Sequence, residues 1–178
     1  MRFLKKIVKA LLWSLLFLYL AVAMLPKEAL FYKAETLLQP FKVYVNESGT
    51  SDRLLAFDIN DATILFQDIE AAKIDTIRLT TLLFYNAVTV SPFRVKEDLA
   101  AFVPPVVDSL QLTHHIFMPH RIALYAKGDF GEARGYVDLL ARRVHIDIDF
   151  AAVVSRNHRA LLQMVRKNNE GYYYEYAF

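Results

Sequence analysis

The chain of 178 residues contains no cysteine and only five glycines. The missing cysteines exclude disulfide bonds, thiolate metal sites and a cysteine nucleophile. Five glycines are too few for a typical phosphate-cradling loop, and no HExxH, GxSxG, Walker A or GxGxxG pattern occurs. We therefore expect no catalytic residues, no cofactor-binding residues and no metal ligands, and we expect the protein not to be an enzyme.

Residues 10–25 carry no charge, and the residues before them are strongly basic. Because roughly 20 apolar residues cross ~30 Å of hydrocarbon, this arrangement predicts a transmembrane anchor at residues 1–25 with a cytoplasmic N-terminus. The alternative is a cleaved signal peptide, for which Ala21-Val22-Ala23 supplies a small-x-small site. Bulky side chains run almost to that site and a helical pattern follows it, which favours the anchor. A mature N-terminus at Met24 would identify the cleaved form.

The basic residues of this segment account for the positive net charge of the chain. They are Arg2, Lys5, Lys6 and Lys9, and without them 17 basic residues remain against 19 acidic ones. Nucleic-acid binding depends on a basic surface. We therefore exclude nucleic acid as a partner and expect a membrane instead.

The rest of the chain predicts a short helix followed by a β domain. Residues 26–40 form the predicted membrane-proximal helix, because apolar residues recur at spacings of three and four over Lys27–Leu38. Residues 41–178 show short alternating segments, which are typical of an antiparallel meander. Residues 154–167 add an apolar stripe on a basic helix. The predicted fold class is mainly β with helices: an N-terminal transmembrane helix, a curved antiparallel sheet and one C-terminal amphipathic helix.

Four segments are predicted to separate the strands or to cross between them. They are the polar residues 47–52, the Asn60-Asp61 pair as a hairpin turn, the Ser91-Pro92 pair as a break, and residues 96–110 as a crossing loop.

Two clusters resemble chemical sites. Period-2 geometry places His145, Asp147 and Asp149 on one face of a strand, where an acid–base or metal site is conceivable. Alternation alone predicts the same pattern, so we favour a solvated strand face. His114 and His115 are adjacent and point to opposite faces, so they cannot jointly hold a metal without a bulge.

His120 completes the second cluster but lies across a proline turn, so we interpret all three histidines as surface residues near a turn. The predicted C-terminal helix is basic, and it either lies on an anionic membrane surface or packs its apolar stripe on the sheet. Its basic residues are Arg156, His158, Arg159, Arg166 and Lys167.

The tyrosine-rich strand at residues 171–178 alternates Tyr172, Tyr174 and Tyr176 with Tyr173 and other residues. Tyrosines are common on strands that bury one face. An exposed terminal strand can also pair with a partner's sheet.

The order of four segments in the chain resembles the N subunit family of the bacterial type II secretion system. These segments are Leu25-Pro26-Lys27-Glu28-Ala29-Leu30, residues 62–69, residues 82–86 and residues 161–175. The chain resembles the AsmA-type periplasmic β proteins more loosely. These resemblances imply a single-pass inner-membrane protein with a periplasmic β domain. They also imply an accessory role in secretion or envelope assembly without catalysis.

Two functions follow from these observations. The first is a non-enzymatic, membrane-anchored periplasmic protein that acts by tethering and by contact with secretion or envelope proteins. The second is a lipid-binding or lipid-transport protein whose sheet forms an apolar groove. A continuous apolar face that solvent reaches would favour the second function.

Overall fold

The computed structural model describes residues 2–96, 106–151, 162, 165–167 and 171–178. Helix α1 (Arg2–Ala23) and helix α2 (Lys27–Leu38) precede a short 3₁₀ turn at Gln39–Phe41. The described residues then form eleven strands: β1 (Val43–Asn46), β2 (Gly49–Asp52), β3 (Ala56–Phe66), β4 (Ile69–Thr81), β5 (Tyr85–Val95), β6 (Val106–His115), β7 (Arg121–Gly128), β8 (Gly131–Asp138), β9 (Arg143–Phe150), β10 (Arg166–Lys167) and β11 (Tyr172–Ala177).

All described strands belong to one antiparallel sheet. Their order is β1-β3-β4-β5-β6-β7-β8-β9-β11-β10, and β2 pairs with β3 beside β1. Strand β1 pairs with the second half of β3 and β2 with its first half, so the two lie end to end along the same edge. The sheet is open, and the predicted antiparallel β fold is confirmed.

Helix α1 is long and apolar enough over Phe3–Ala23 to span a membrane. The lysine that follows it fixes its end to the sheet. The Lys27 ammonium donates to the carbonyl oxygen of Ala23 at 3.3 Å and to Asp52 Oδ1 at 3.1 Å, although Lys27 is only 4% exposed. A positive charge beside the last carbonyls of a helix is favourable. The lysine therefore connects the end of α1 with strand β2.

Helix α2 begins and ends where the apolar spacing predicts. Its Phe31 ring lies 6.0 Å from the ring of Phe57, which is completely buried. Phe57 forms a buried cluster with Ile59, Ala62 and Ile74. Helix α2 therefore covers the part of the sheet near its first strands.

The predicted hairpin turn at Asn60-Asp61 is wrong, because β3 runs through both residues. Asp61 has a φ of +50° inside the strand, a conformation that aspartate tolerates. Strict alternation would place Ile59 and Ala62 on opposite faces. Both instead pack in the same buried cluster. The alternation therefore shifts by one residue here, which breaks the pattern without ending the strand.

The neighbouring strands shift their alternation at the same level. The predicted break at Ser91-Pro92 is wrong, because β5 continues to Val95. Pro92 lies between two paired positions of the β4–β5 ladder, where its missing N–H is tolerated. The shifts lie at the same level in four neighbouring strands, and we call this level the mid-sheet offset. It comprises Asp61 of β3, Asp75 of β4, Pro92 of β5 and Asp108 of β6.

Two further predictions need correction. Residues 47–52 are not a turn throughout, since β2 occupies the second part of the segment and pairs with β3. The predicted C-terminal helix does not reach Lys167, because Arg166 and Lys167 form β10 and pair with Tyr173 and Tyr172. A polar strand of two residues has no periodicity that distinguishes it from a helix end.

The crossing loop predicted at residues 96–110 is wrong for residues 106–110, because β6 begins at Val106. Residues 97–105 of that loop lie outside the described residues. The same holds for residues 152–161 and 163–164 of the predicted C-terminal helix, which include Arg156, His158 and Arg159.

Asp58 carries the most deeply buried carboxylate in the described ion pairs. Its side chain is 5% exposed, and Arg78 binds both of its oxygens at 2.6 and 3.3 Å while Arg53 lies 3.4 Å away. The hydrogen bond from Arg78 lowers the pKa of Asp58. The resulting stabilisation is full above the ordinary aspartate pKa of about 3.9 and is lost as the pH falls through the lower pKa of the folded state.

Asp58→Asn is therefore expected to cost about 1.5–3 kcal/mol at pH 7, the contribution of hydrogen bonds to a charged group. The cost shrinks in acid, because the wild type loses the same stabilisation there. Urea unfolding in detergent micelles at pH 7 and below pH 4 measures both values. Asp75→Asn is the matched control, because Asp75 pairs with Arg94 at 2.8 Å in an exposed position. An equal loss in both variants would contradict the argument.

Candidate functional site

One face of the sheet carries apolar side chains in a register that continues from strand to strand. Residues paired across neighbouring strands share a face. One row comprises Ile59, Ile77, Val90, Leu110, Ala126, Ala133, Ile148 and Tyr172. The adjacent row comprises Phe57, Leu79, Val88, Leu112, Leu124, Gly135, Ile146 and Tyr174. We call this surface the apolar face.

The apolar face is deeply buried at two places and half-buried between them. Phe57 and its neighbours form the first buried cluster beneath α2, and Phe130 forms a second with Ala126 and Ala133. Between the clusters, the paired residues Val88 and Leu112 are half-buried. Large continuous apolar surfaces mark binding surfaces more often than isolated exposed residues do.

The opposite face of the sheet is polar and charged. Glu132 lies 3.5 Å from the Lys127 ammonium and accepts a 2.9 Å hydrogen bond from Arg134, which lowers the pKa of Glu132. On the same face, Arg121 lies 4.3 Å above the ring of Tyr136. At β7 and β8 the sheet therefore carries charged side chains on one face and apolar side chains on the other.

The predicted cluster of His145, Asp147 and Asp149 lies on this polar face. His145 Nε2 is 3.2 Å from Asp147 Oδ1, and its ring lies between the rings of Tyr136 and Tyr173 at 5.7 and 6.0 Å. In the part of the chain that the structure describes, no three His, Cys, Asp or Glu side chains are grouped as metal ligands. The arrangement is a strand face whose histidine packs between aromatic rings.

The histidines near the β6–β7 turn do not converge. His114 Nε2 lies 3.1 Å from the carbonyl oxygen of Pro119, whereas His115 packs against the ring of Tyr85 at 4.9 Å. The backbone carbonyl of His120 accepts a 2.8 Å hydrogen bond from a residue of the β8–β9 turn. These contacts stabilise neighbouring turns.

A shallow cleft opens at the mid-sheet offset. Ser48, Asp61, Lys73, Asp75 and Arg94 are among its lining residues. Both oxygens of Asp75 accept hydrogen bonds from Arg94, at 2.8 and 3.3 Å. Two basic and two acidic side chains thus face one another, and the pairing leaves little net charge for an ionic ligand.

Helix α1 borders a second cleft, of about 460 Å³, beside the β4–β5 turn. The helix contributes Leu12, Leu15, Leu16 and Tyr19, which share one side of the helix because they recur at spacings of three and four. Residues 82–85 form the other wall. Sequence reasoning offered an apolar groove only as an alternative without identifying its residues, and it missed this cleft, since both depend on which distant residues meet.

Neither protein-family models, nor curated proteins, nor solved structures give a match to this chain. The fold and the geometry of its two faces therefore carry the functional argument.

Proposed function

We propose that this protein is a single-pass membrane protein that binds lipid acyl chains along its apolar face, without catalysis. The observation that supports the proposal is the register of apolar residues through eight successive strands, from β3 to β11. An acyl chain suits this surface because it is aliphatic, uncharged and long enough to lie across several strands.

Helix α1 supplies the membrane attachment in this proposal. The basic residues at its start favour a cytoplasmic N-terminus, so the sheet lies on the periplasmic side of a bacterial inner membrane. The buried Lys27, which joins the end of α1 to Asp52, supports an anchor that is retained. The apolar face then lies close to the source of its ligand.

Photo-crosslinking tests the lipid contact with two neighbouring residues. A benzophenone amino acid at Leu112 lies on the apolar face, and the same residue at Gln111 lies on the polar face of the same strand. We expect mass spectrometry to detect phospholipid adducts at Leu112 and at least about tenfold fewer at Gln111, because adjacent strand residues point to opposite faces. Equal labelling at the two positions, or no lipid at Leu112, would contradict the proposal.

Contact with secretion or envelope proteins is the second candidate function, in keeping with the resemblance to the secretion N subunit family. The outer edge of β11 supports it. Tyr174–Ala177 pairs with β9, whereas β10 reaches only Tyr172 and Tyr173, so within the described ranges the far side of Tyr176 has no strand partner. Such an edge accepts a strand from another protein. The same cross-linker at Tyr176 would then yield protein adducts.

A further inference from the structure

Exposed apolar side chains are concentrated in the turns at one end of the sheet. An antiparallel meander alternates its connections between two ends, so the turns β2–β3, β4–β5, β6–β7 and β8–β9 lie together. The end of α1 lies there too, since Ala23 and Leu25 border a cleft with Arg53 and Leu54. We call residues 53–55, 82–84, 116–120 and 139–142 the anchor-end turns.

These turns differ from ordinary surface turns in composition. Turns favour Gly, Pro, Asn, Asp and Ser. Here Phe117 is 82% exposed, Leu140 80% and Leu54 63%. The rings of Phe84 and Phe117 lie 6.1 Å apart in a stacked arrangement, so two neighbouring turns form one apolar surface.

The Leu140 turn is held in place by its own strand. The Asp138 carboxylate accepts hydrogen bonds from the backbone N–H groups of Leu140 and Ala141, at 3.1 and 2.9 Å. These bonds lower the pKa of Asp138, the one from Ala141 most of all. Leu139 and Leu140 therefore project from a well-defined turn, although they remain exposed.

The charges of the anchor-end turns are basic. These turns contain Arg53 and Arg142 and no acidic residue. Apolar residues flanked by arginine are typical of surfaces that enter the headgroup region of a membrane. The turn at the opposite end between β3 and β4 contains Gln67 and Asp68 instead.

The cleft beside α1 places one of these turns at membrane depth. Residues 82–85 line the same cleft as Leu12 and Tyr19. At 1.5 Å per residue, these two positions lie about 17 and 6 Å along the helix from Ala23. Because α1 would cross a hydrocarbon core of ~30 Å, a turn that faces this part of the helix lies within the same core.

We propose that the anchor-end turns insert into the leaflet next to the sheet and attach the protein to the lipid bilayer at a second place. The proposal rests on the membrane-spanning role of α1 in the proposed function, and it does not depend on lipid binding along the apolar face. The bilayer suits these turns because they combine exposed aromatic and aliphatic side chains with arginine beside a helix of transmembrane length.

Single-cysteine labelling tests this directly, because the chain contains no cysteine. The full chain carrying Phe117→Cys, Leu140→Cys, Leu16→Cys or Ile69→Cys is labelled with an environment-sensitive nitrobenzoxadiazole dye. Each variant is reconstituted into phosphatidylethanolamine–phosphatidylglycerol vesicles that contain doxyl-labelled lipid. We expect several-fold quenching and a blue-shifted emission at positions 117 and 140.

Ile69 is the matched control because it is 64% exposed, apolar and at the opposite end of β4. It lies roughly 40 Å from the anchor-end turns at 3.3 Å per strand residue, so we expect no quenching there. Quenching at position 16 without quenching at 117 and 140 would overturn the insertion and leave the anchor intact. Quenching at position 69 in addition to positions 117 and 140 would also overturn the insertion, because it would show that the sheet lies flat on the membrane. Quenching at 117 and 140 but not at 16 would overturn the membrane-spanning role of α1, on which the proposal rests.

Discussion

Replacing Phe57 by alanine is expected to lower the free energy of unfolding by about 3–5 kcal/mol, the usual cost of deleting a buried phenylalanine side chain. Phe57 is completely buried, and it joins the first strands of the sheet to Phe31 of α2. The cavity would open between a helix and a sheet held together by the same cluster. Urea unfolding in detergent micelles, followed by far-ultraviolet circular dichroism, measures the loss.

Phe66→Ala is the matched control for this prediction. Phe66 belongs to the same strand, but its side chain is 48% exposed. We expect its removal to cost less than about 1 kcal/mol, because much less apolar area leaves a protein environment. Similar losses in the two variants would show that the cluster beneath α2 does not stabilise the fold.

Replacing Gly135 by alanine is expected to lower the free energy of unfolding by about 3 kcal/mol, at the upper end of the usual cost of overpacking. A Cβ at this position would collide with the carbonyl oxygen of His145 and lie 2.7 Å from Ile146 Cα. Both atoms belong to the backbone of β9, so no side-chain rotation relieves the collision. Strands β8 and β9 must separate or lose part of their ladder.

Gly49→Ala separates this steric effect from the general effect of replacing glycine. A Cβ at Gly49 meets no atom within 4 Å. The substitution also reduces the conformational freedom of the unfolded chain, which favours folding. We expect thermal unfolding to show a neutral or slightly positive effect for Gly49→Ala. A comparable loss in both glycine variants would contradict the close approach of β8 and β9.

The strands whose alternation is uninterrupted were predictable from the sequence. Strand β9 has the predicted bounds Arg143–Phe150, and α2 has the predicted bounds Lys27–Leu38. In both elements the period of the apolar residues is constant from end to end. Hydrophobic pattern alone is then sufficient to define an element.

The mid-sheet offset explains why β3 and β5 were predicted to break. At Asp61 and Pro92 the alternation shifts by one residue, and the local composition resembles a turn. A turn and a bulge have the same residue preferences. Only the pairing partners, which lie up to about 20 residues away, distinguish a continuous strand from two separate ones.

The apolar face and the anchor-end turns depend on tertiary arrangement even more strongly. The sequence shows that Leu112 alternates with polar residues, but it does not show that Val88 and Leu124 flank it. One signal was available for the turns. Phe84, Phe117 and Leu140 occupy connections in which polar residues are expected, and an apolar turn indicates contact with something other than water.

The alternation of the connections bears on how the sheet would be inclined to a membrane. An anchor of one helix leaves the tilt of the attached domain unrestrained by lipid. The anchor-end turns extend from β3 to β9, which at about 4.8 Å per strand is a line of roughly 29 Å. If these turns insert as proposed, contacts along such a line would fix the tilt, so the apolar face would keep a constant inclination to the bilayer plane.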